Sequence, residues 1–253
     1  MEIIKNLLYK CVSYPEDQVY DKFIQLLEDY IINSPGVSVV SDLKTIKRNK
    51  NKLKGDIFEV LCLNLIKNNS FGKIKCKDAW LFKDLPGELR DKLAFNNGKD
   101  MGIDIIVLTV TDEWYAIQCK YRKKPNKKSV TINKDGKDLT IPLRWQVKWA
   151  ELSTFYSLCD RTGIPGSGWS KHVVITTAES INRQGRKNEK DLSICVGTFR
   201  GLPKEEWLKL LGDTGNKLNE ITIDIDKLNL NEKQDKVDVD LIRKKRLLAL
   251  EKK

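Results

Sequence analysis

A single histidine, His172, is all the sequence has of that residue. It opens an apolar run, KHVVITT, where an imidazole is more often structural than reactive, so chemistry built on a histidine base is disfavoured. Six cysteines stand at positions 11, 62, 76, 119, 159 and 195. None forms a CxxC or CxxH pair, which removes zinc ribbons and thioredoxin-like redox motifs. Their scatter suits a reducing compartment, each cysteine serving as a small apolar residue. Nowhere do ~18 consecutive apolar residues occur, so no membrane span is expected. The N-terminal MEIIKNLLYKCVSYPEDQ lacks the apolar core and the cleavage site of a secretory leader. The expected location is therefore intracellular: cytoplasmic, or nuclear or in a viral factory for a eukaryotic or viral source. No internal repeat is present.

What the chain does have is the material for a real core. It is 40% hydrophobic with six Trp, seven Tyr and seven Phe, and at 32% charged it is also well solvated. Such a composition excludes disordered and fibrous classes. Its 253 residues suffice for one sizeable domain with extensions, or two small ones. Forty-six Lys and Arg against 35 Asp and Glu leave a net charge of +11, which favours polyanionic partners such as nucleic acid or an anionic membrane.

Residues 16–32 place Val19, Phe23, Leu26, Leu27, Tyr30 and Ile31 at helical spacing, and Asn33-Ser34-Pro35-Gly36 stops that helix. A basic stretch with Lys44, Lys47, Arg48, Lys50, Lys52 and Lys54 leads into a second helix expected at about 54–68. The character then changes. Residues 74–82, 103–110 and 114–121 are rich in β-branched and aromatic residues and read as strands. Thr111-Asp112-Glu113 gives a hairpin signal between the last two. A Lys-rich excursion over 122–140, a helix from Trp145 to Leu158 carrying Trp145 and Trp149, and a strand at 171–177 follow. A further helix with Arg183, Arg186 and Lys187 is expected after Thr176 and Thr177. This order of elements predicts an α/β fold with a mixed sheet.

Polar residues embedded in strands this apolar call for an explanation. If the turn pairs Val110 with Trp114, Asp104 falls opposite Lys120 and Ile106 opposite Gln118. Gln118 and Lys120, two apart, share one face of their strand, and cross-strand partners share it too. A carboxylate, an amide and an ammonium group then project together. Phosphodiester hydrolysis needs such groups: hard oxygen ligands for Mg²⁺, a positioned water and positive charge against the transition state. Asp104 is the principal candidate ligand, with the Gln118 side-chain oxygen, the Cys119 carbonyl and Glu59 completing the shell. Lys120 is the group to orient the water or offset developing phosphate charge. The bland alternative is that Asp104 and Lys120 merely face solvent at strand ends.

The runs KGDIFEVLCLNLIKNN, KDMGIDIIV and WYAIQCKYR together resemble the PD-(D/E)xK nuclease superfamily over roughly residues 52–180. They are most similar to its Mrr-like restriction-endonuclease branch, in which a helix Glu, GxD and QxK form the motif. DAWLFKDLP also resembles nuclease domains attached to helicases. The resemblance implies a restriction-endonuclease-like αβββαβ core, Mg²⁺ dependence with Mn²⁺ as substitute, and DNA cleavage. By position, Glu59 matches the helix acid, Asp104 the GxD acid, and Gln118 and Lys120 the QxK pair.

Around that set, Arg122, Lys123, Lys124, Lys127 and Lys128 are expected to contact DNA phosphates. Thr176, Thr177 and Arg183 are expected to assist from a helix start. Three regions are expected: a helical segment at 1–51, the nuclease domain at 52–200 and a charged helical extension or linker at 201–253. Expected partners are DNA, a helicase or other domain of a longer protein, and a second copy of the chain. Two alternative readings accompany the endonuclease: a catalytically silent DNA-binding module of the same fold, and a junction or repair nuclease.

Overall fold

The computed structural model describes residues 2–33, 43–95, 102–125, 129–134, 137–142, 144–186 and 188–212. Chain contacts gather Met1–Leu210 into one compact unit. Two helices, α1 (Glu2–Cys11) and α2 (Val19–Asn33), lead into the long α3 (Leu43–Lys67). That helix starts eleven residues earlier than its apolar periodicity alone would place it. The basic stretch that forms its first part, residues 44–54, has no Pro or Gly and is rich in Lys, which propagates a helix readily. Gly55 sits near the middle of α3, where a glycine costs about 1 kcal/mol relative to alanine. Nothing lies within 4 Å of where its Cβ would be, so packing does not require it.

The central sheet runs β1 (Cys76–Leu81), β2 (Ile105–Thr109), β3 (Trp114–Lys120), β7 (Lys171–Thr176) and β9 (Asp191–Ile194), in that spatial order. The first three are antiparallel neighbours, while β7 lies parallel to β3 and β9 parallel to β7. With α5 (Ser153–Cys159) between β3 and β7, the expected αβββαβ order and mixed sheet are present. The excursion forms a separate hairpin of β4 (Ser129–Lys134) and β5 (Lys137–Pro142). Among the described residues, no helix is long and apolar enough to cross a membrane.

Strand alternation divides the core into two layers. On one face Ile106, Trp114, Ala116 and Val174 join Phe155 and Tyr156 of α5 and Phe82, Leu93 and Phe95 around the short α4 (Gly87–Lys92). The other face receives α3, which packs against β1 and β3 and is backed by α2. Tyr20 and Phe23 of α2 meet Trp207, and Tyr20 and Phe58 meet Phe199. Those last partners sit on α6 (Val196–Arg200) and α7 (Lys204–Lys209).

Two local expectations are corrected. No helix spans Trp145 to Leu158: Gln146–Val147 form a short strand, β6, paired with β8 (Ser180–Ile181), and only Ser153–Cys159 is α-helical. Nor does a helix follow Thr177. The amides of Glu179 and Asn182 instead donate to the carbonyls of Trp145 and Val147. Both failures have one cause, a pairing between segments over thirty residues apart that draws each into extended form. Residues 213–253, and with them most of the expected C-terminal extension, lie outside the described residues.

His172 is structural, as its place in an apolar strand suggests. It is buried at 4% exposure, with Nδ1 3.2 Å from Asp191 Oδ1. Burial pushes its pKa below the ordinary 6.5; Asp191 opposes this without overcoming it, while Arg186 works with burial and Asp160 against. A folded state that resists protonating this ring is stabilised by it above the unfolded pKa and loses that stability as pH falls below it. Thermal unfolding measured from about pH 7.5 to about pH 5.5 is therefore expected to show a steeper fall for the wild type than for His172→Gln. Parallel profiles would contradict this assignment.

Candidate active site

The β2–β3 hairpin sets the site. Leu108 pairs with Trp114 and Ile105 with Ile117, so the register is displaced by two residues from a Val110–Trp114 pairing. The reason lies in the turn. Thr109 receives the Glu113 amide on its hydroxyl and donates its own amide to the Glu113 carbonyl, while Asp112 adopts φ +58°. The hairpin thus closes between Thr109 and Glu113, one residue earlier on each strand than a Val110–Trp114 closure. Because the displacement is even, side chains keep their faces. Asp104, just ahead of β2, comes opposite Gln118 instead of Lys120, and its amide donates to the Ile117 carbonyl 2.9 Å away.

Asp104 is anchored from the neighbouring strand: the Cys119 amide donates to Asp104 Oδ2 at 2.6 Å. Gln118 is buried at 3% exposure, and its Oε1 has no hydrogen-bond partner among the described residues. Gly102 explains how the amide is held there. It has φ +109°, and a Cβ at that position would stand 3.2 Å from Gln118 Nε2. The glycine of GxD and the glutamine of QxK are therefore packed against each other, in a left-handed backbone conformation that favours glycine.

Glu59 comes from α3 on the other layer. It acts electrostatically on both Cys119 and Lys120, as Asp104 does. Burial, with Arg122 alongside, lowers the Lys120 pKa against the pull of Asp104 and Glu59. Burial likewise raises the Cys119 thiol pKa well above its ordinary value, helped by the neighbouring Cys62 thiol and the two carboxylates. Cys119 is thus no nucleophile, and both cysteines are buried. Among the described residues, no three His, Cys, Asp or Glu side chains gather as metal ligands. The expected oxygen set contains only two carboxylates, and the orphaned amide oxygen of Gln118 fits the third side-chain position.

A cleft of about 420 Å³ opens beside this set, with Asn51, Lys54 and Gly55 on one wall and Cys119–Lys123 on the other. Lys54 Nζ lies 2.5 Å from Glu28 Oε2, and the Tyr121 hydroxyl donates to Glu28 Oε1 at 2.5 Å. Burial works to raise the Glu28 pKa, but Lys54, Tyr121 and Lys123 together hold it below the ordinary carboxylate value. This Glu28 bracket, tying α2 to α3 and to the end of β3, was not legible in sequence. A glutamate on an amphipathic helix carries no local mark of its partner.

The remaining candidates divide. Arg122 pairs with Glu151 and bonds the Tyr121 carbonyl, and Lys124 lies over the Trp145 ring. Lys123 and Lys124 are exposed. Thr176 and Thr177 are buried. Their hydroxyls donate to the carbonyls of Lys120 and Arg122, and the Thr177 oxygen also accepts the Arg122 amide. They brace the exit of β3 instead of standing at a helix start. Arg183 is spent on Tyr156, Ser193 and the Asp191 cluster beside His172, and is not brought to the Asp104 set. Lys127 and Lys128 lie outside the described residues.

Gly102→Ala is expected to destabilise the fold by about 1–3 kcal/mol, measured by denaturant unfolding, since it forces a side chain into a strained conformation against Gln118. Gln118→Met is expected to change stability by no more than about 1 kcal/mol, because it removes an unsatisfied buried oxygen. A large loss in the second variant would make Gln118 a structural residue.

No curated protein matches the chain. A solved structure described as "ATP-dependent Type ISP restriction-modification enzyme LlaBIII bound to DNA" is similar at 18% identity and a TM-score of 0.37, over 60% of this chain. That likeness is too distant to carry an argument, and this chain spans only 8% of that protein's length. Residues 67–134 match the family model Mrr_cat_2, described as restriction endonuclease. The matched segment contains Gly102, Asp104, Gln118 and Lys120 and stops short of Glu59. Over that segment, which supplies β1 to β4 of the mixed α/β fold, the chain is similar to a restriction endonuclease.

Proposed function

We propose that the chain is a Mg²⁺-dependent DNA endonuclease, with Mn²⁺ able to substitute, whose site is Glu59, Asp104, Gln118 and Lys120. The observation that carries the reading is the buried, unpartnered Oε1 of Gln118 next to the anchored carboxylate of Asp104. An unsatisfied buried acceptor costs about 1–3 kcal/mol. A protein keeps such a group in an apolar strand when a ligand completes it. The carboxylates of Asp104 and Glu59, the Gln118 amide oxygen and the Cys119 carbonyl would hold the ion, and a set made only of oxygens suits Mg²⁺. When bound, the ion supplies Lewis-acid stabilisation of charge on the phosphoryl oxygens.

The chain's own groups do the rest. The Cys119 amide fixes the Asp104 carboxylate, so no reorientation is needed when substrate arrives. Lys120, drawn toward neutrality by burial and toward charge by two carboxylates, orients the attacking water and offsets charge on the phosphate. Arg122, Lys123, Lys124, Lys127 and Lys128 serve the flanking phosphates, while Thr176 and Thr177 hold the backbone from which Arg122 and Lys123 project. The products carry 5′-phosphates. The chain is the nuclease part of a longer restriction or helicase-linked protein, and a second copy supplies the second strand's cut.

Purified chain incubated with supercoiled plasmid and Mg²⁺ or Mn²⁺ is expected to nick or linearise it, and EDTA to abolish the cut. Asp104→Ala should remove activity, and Lys120→Ala should reduce it by about 10²-fold or more. Gln118→Met should lower metal affinity and activity while remaining folded. Retained DNA binding with no cleavage and no metal bound at Asp104 would overturn the reading in favour of a silent binding module.

A further inference from the structure

Gly55 is unexplained by the fold. It stands near the middle of a 25-residue helix, its φ is not in the left-handed region, and an added Cβ would meet no atom within 4 Å. Alanine would fit there and strengthen the helix. The gap it leaves opens into the cleft beside Lys120. Residues four apart lie on one helix face, so Asn51, Gly55 and Glu59 form one stripe, and Gly55 sits one turn from the proposed metal-holding carboxylate.

The charged side chains that line the cleft are basic, with the carboxylates of Glu28 and Glu151 paired to Lys54 and Arg122. Lys54, Lys120, Arg122 and Lys123 line the cleft, and among the described residues no Asp or Glu does. Lys54 is not a loose surface lysine. Its side chain is 14% exposed and held by Glu28, and an ammonium has three N–H donors, of which that bridge uses one. Tyr121 shares the same carboxylate and carries the Lys54 ammonium 5.8 Å from its ring centroid. The cleft is thus pre-arranged for an anion that must come close to helix backbone.

We propose that this cleft is a second phosphodiester subsite, in which Gly55 lets the sugar–phosphate backbone of the bound strand lie against α3, its phosphate oxygens met by Lys54, Lys123 and the Asn51 amide. The subsite rests on the nuclease reading for its biological purpose, but its binding does not depend on metal or on cleavage. It seats the phosphate next to the scissile one and so fixes the strand's path past Lys120. Gly55 and Lys54 are positioning and binding residues here, and neither is catalytic.

The test is anisotropy of a fluorescent 20-base-pair DNA duplex titrated with the full chain in EDTA at several salt concentrations, beside thermal unfolding. Gly55→Ala is expected to raise the melting temperature and weaken binding; Gly55→Leu should weaken it by about tenfold or more, since a lost charge-assisted contact is of that order. Lys123→Gln should lower the salt slope by about one. Gly197→Ala, a helical glycine with equally open space but away from the cleft, should leave binding unchanged. Wild-type affinity in both Gly55 variants would overturn the subsite while leaving the nuclease reading intact, as would loss of cleavage alone with binding unchanged. Gly55-sensitive binding in a wild type that never cuts DNA with Mg²⁺ would uphold the subsite and overturn the nuclease.

Discussion

The hydrogen bond from the Cys119 amide to the Asp104 carboxylate is the constraint on which the site depends. It joins the residue that enters β2 to the strand that carries Gln118 and Lys120, so the acid, the amide and the ammonium are positioned by one ladder. That ladder is itself over-determined. Its strands are buried on both faces, α3 on one and α5 with α4 on the other, and a slip of one residue would turn Gln118 and Lys120 into the wrong layer. The apolar context that makes these polar residues costly also fixes the face on which they stand.

A second bracket closes the site from outside the sheet. Glu28 on α2 holds Lys54 on α3 and Tyr121 just past β3 at once. Each ligand alone would leave a partly buried charge poorly compensated; together they hold the carboxylate ionised, and the cleft wall acquires a fixed ammonium. The N-terminal helices are therefore part of the site's architecture. Arg200, which pairs bidentately with Asp21, adds a peripheral tie of the same kind between α2 and α6.

Local costs gather where function is proposed. Gln118 keeps an unsatisfied buried oxygen, Gly102 a left-handed backbone against that same side chain, and Gly55 a weakened helix with nothing to pack. Elsewhere local and global preferences agree: β-branched residues in β2 and β7, apolar periodicity in α2, hydroxyls of Thr176 and Thr177 spent on neighbouring backbone. Departures from such consistency are expected at sites that bind something.

Much of this was readable from residue order. The alternation of β2 and β3, the periodicity of α2 and of the second half of α3, and the αβββαβ sequence of elements are local patterns, and the shared face of Asp104, Gln118 and Lys120 follows from a period of two. That face survived an error in the hairpin register because the error was even. Other features needed the folded chain. Residues 145–147 and 179–182 adopt extended form only because they pair with each other, so a helical reading of either segment alone had nothing to contradict it. The Glu28 bracket spans 26 and 93 residues, and the fate of Arg183 was decided by a buried aspartate on a four-residue strand. Sequence by itself determined which side chains share a strand or a helix face, because that depends on backbone periodicity. Only the tertiary structure decided which faces meet, because long-range charge pairing and strand pairing leave no periodic trace in either partner.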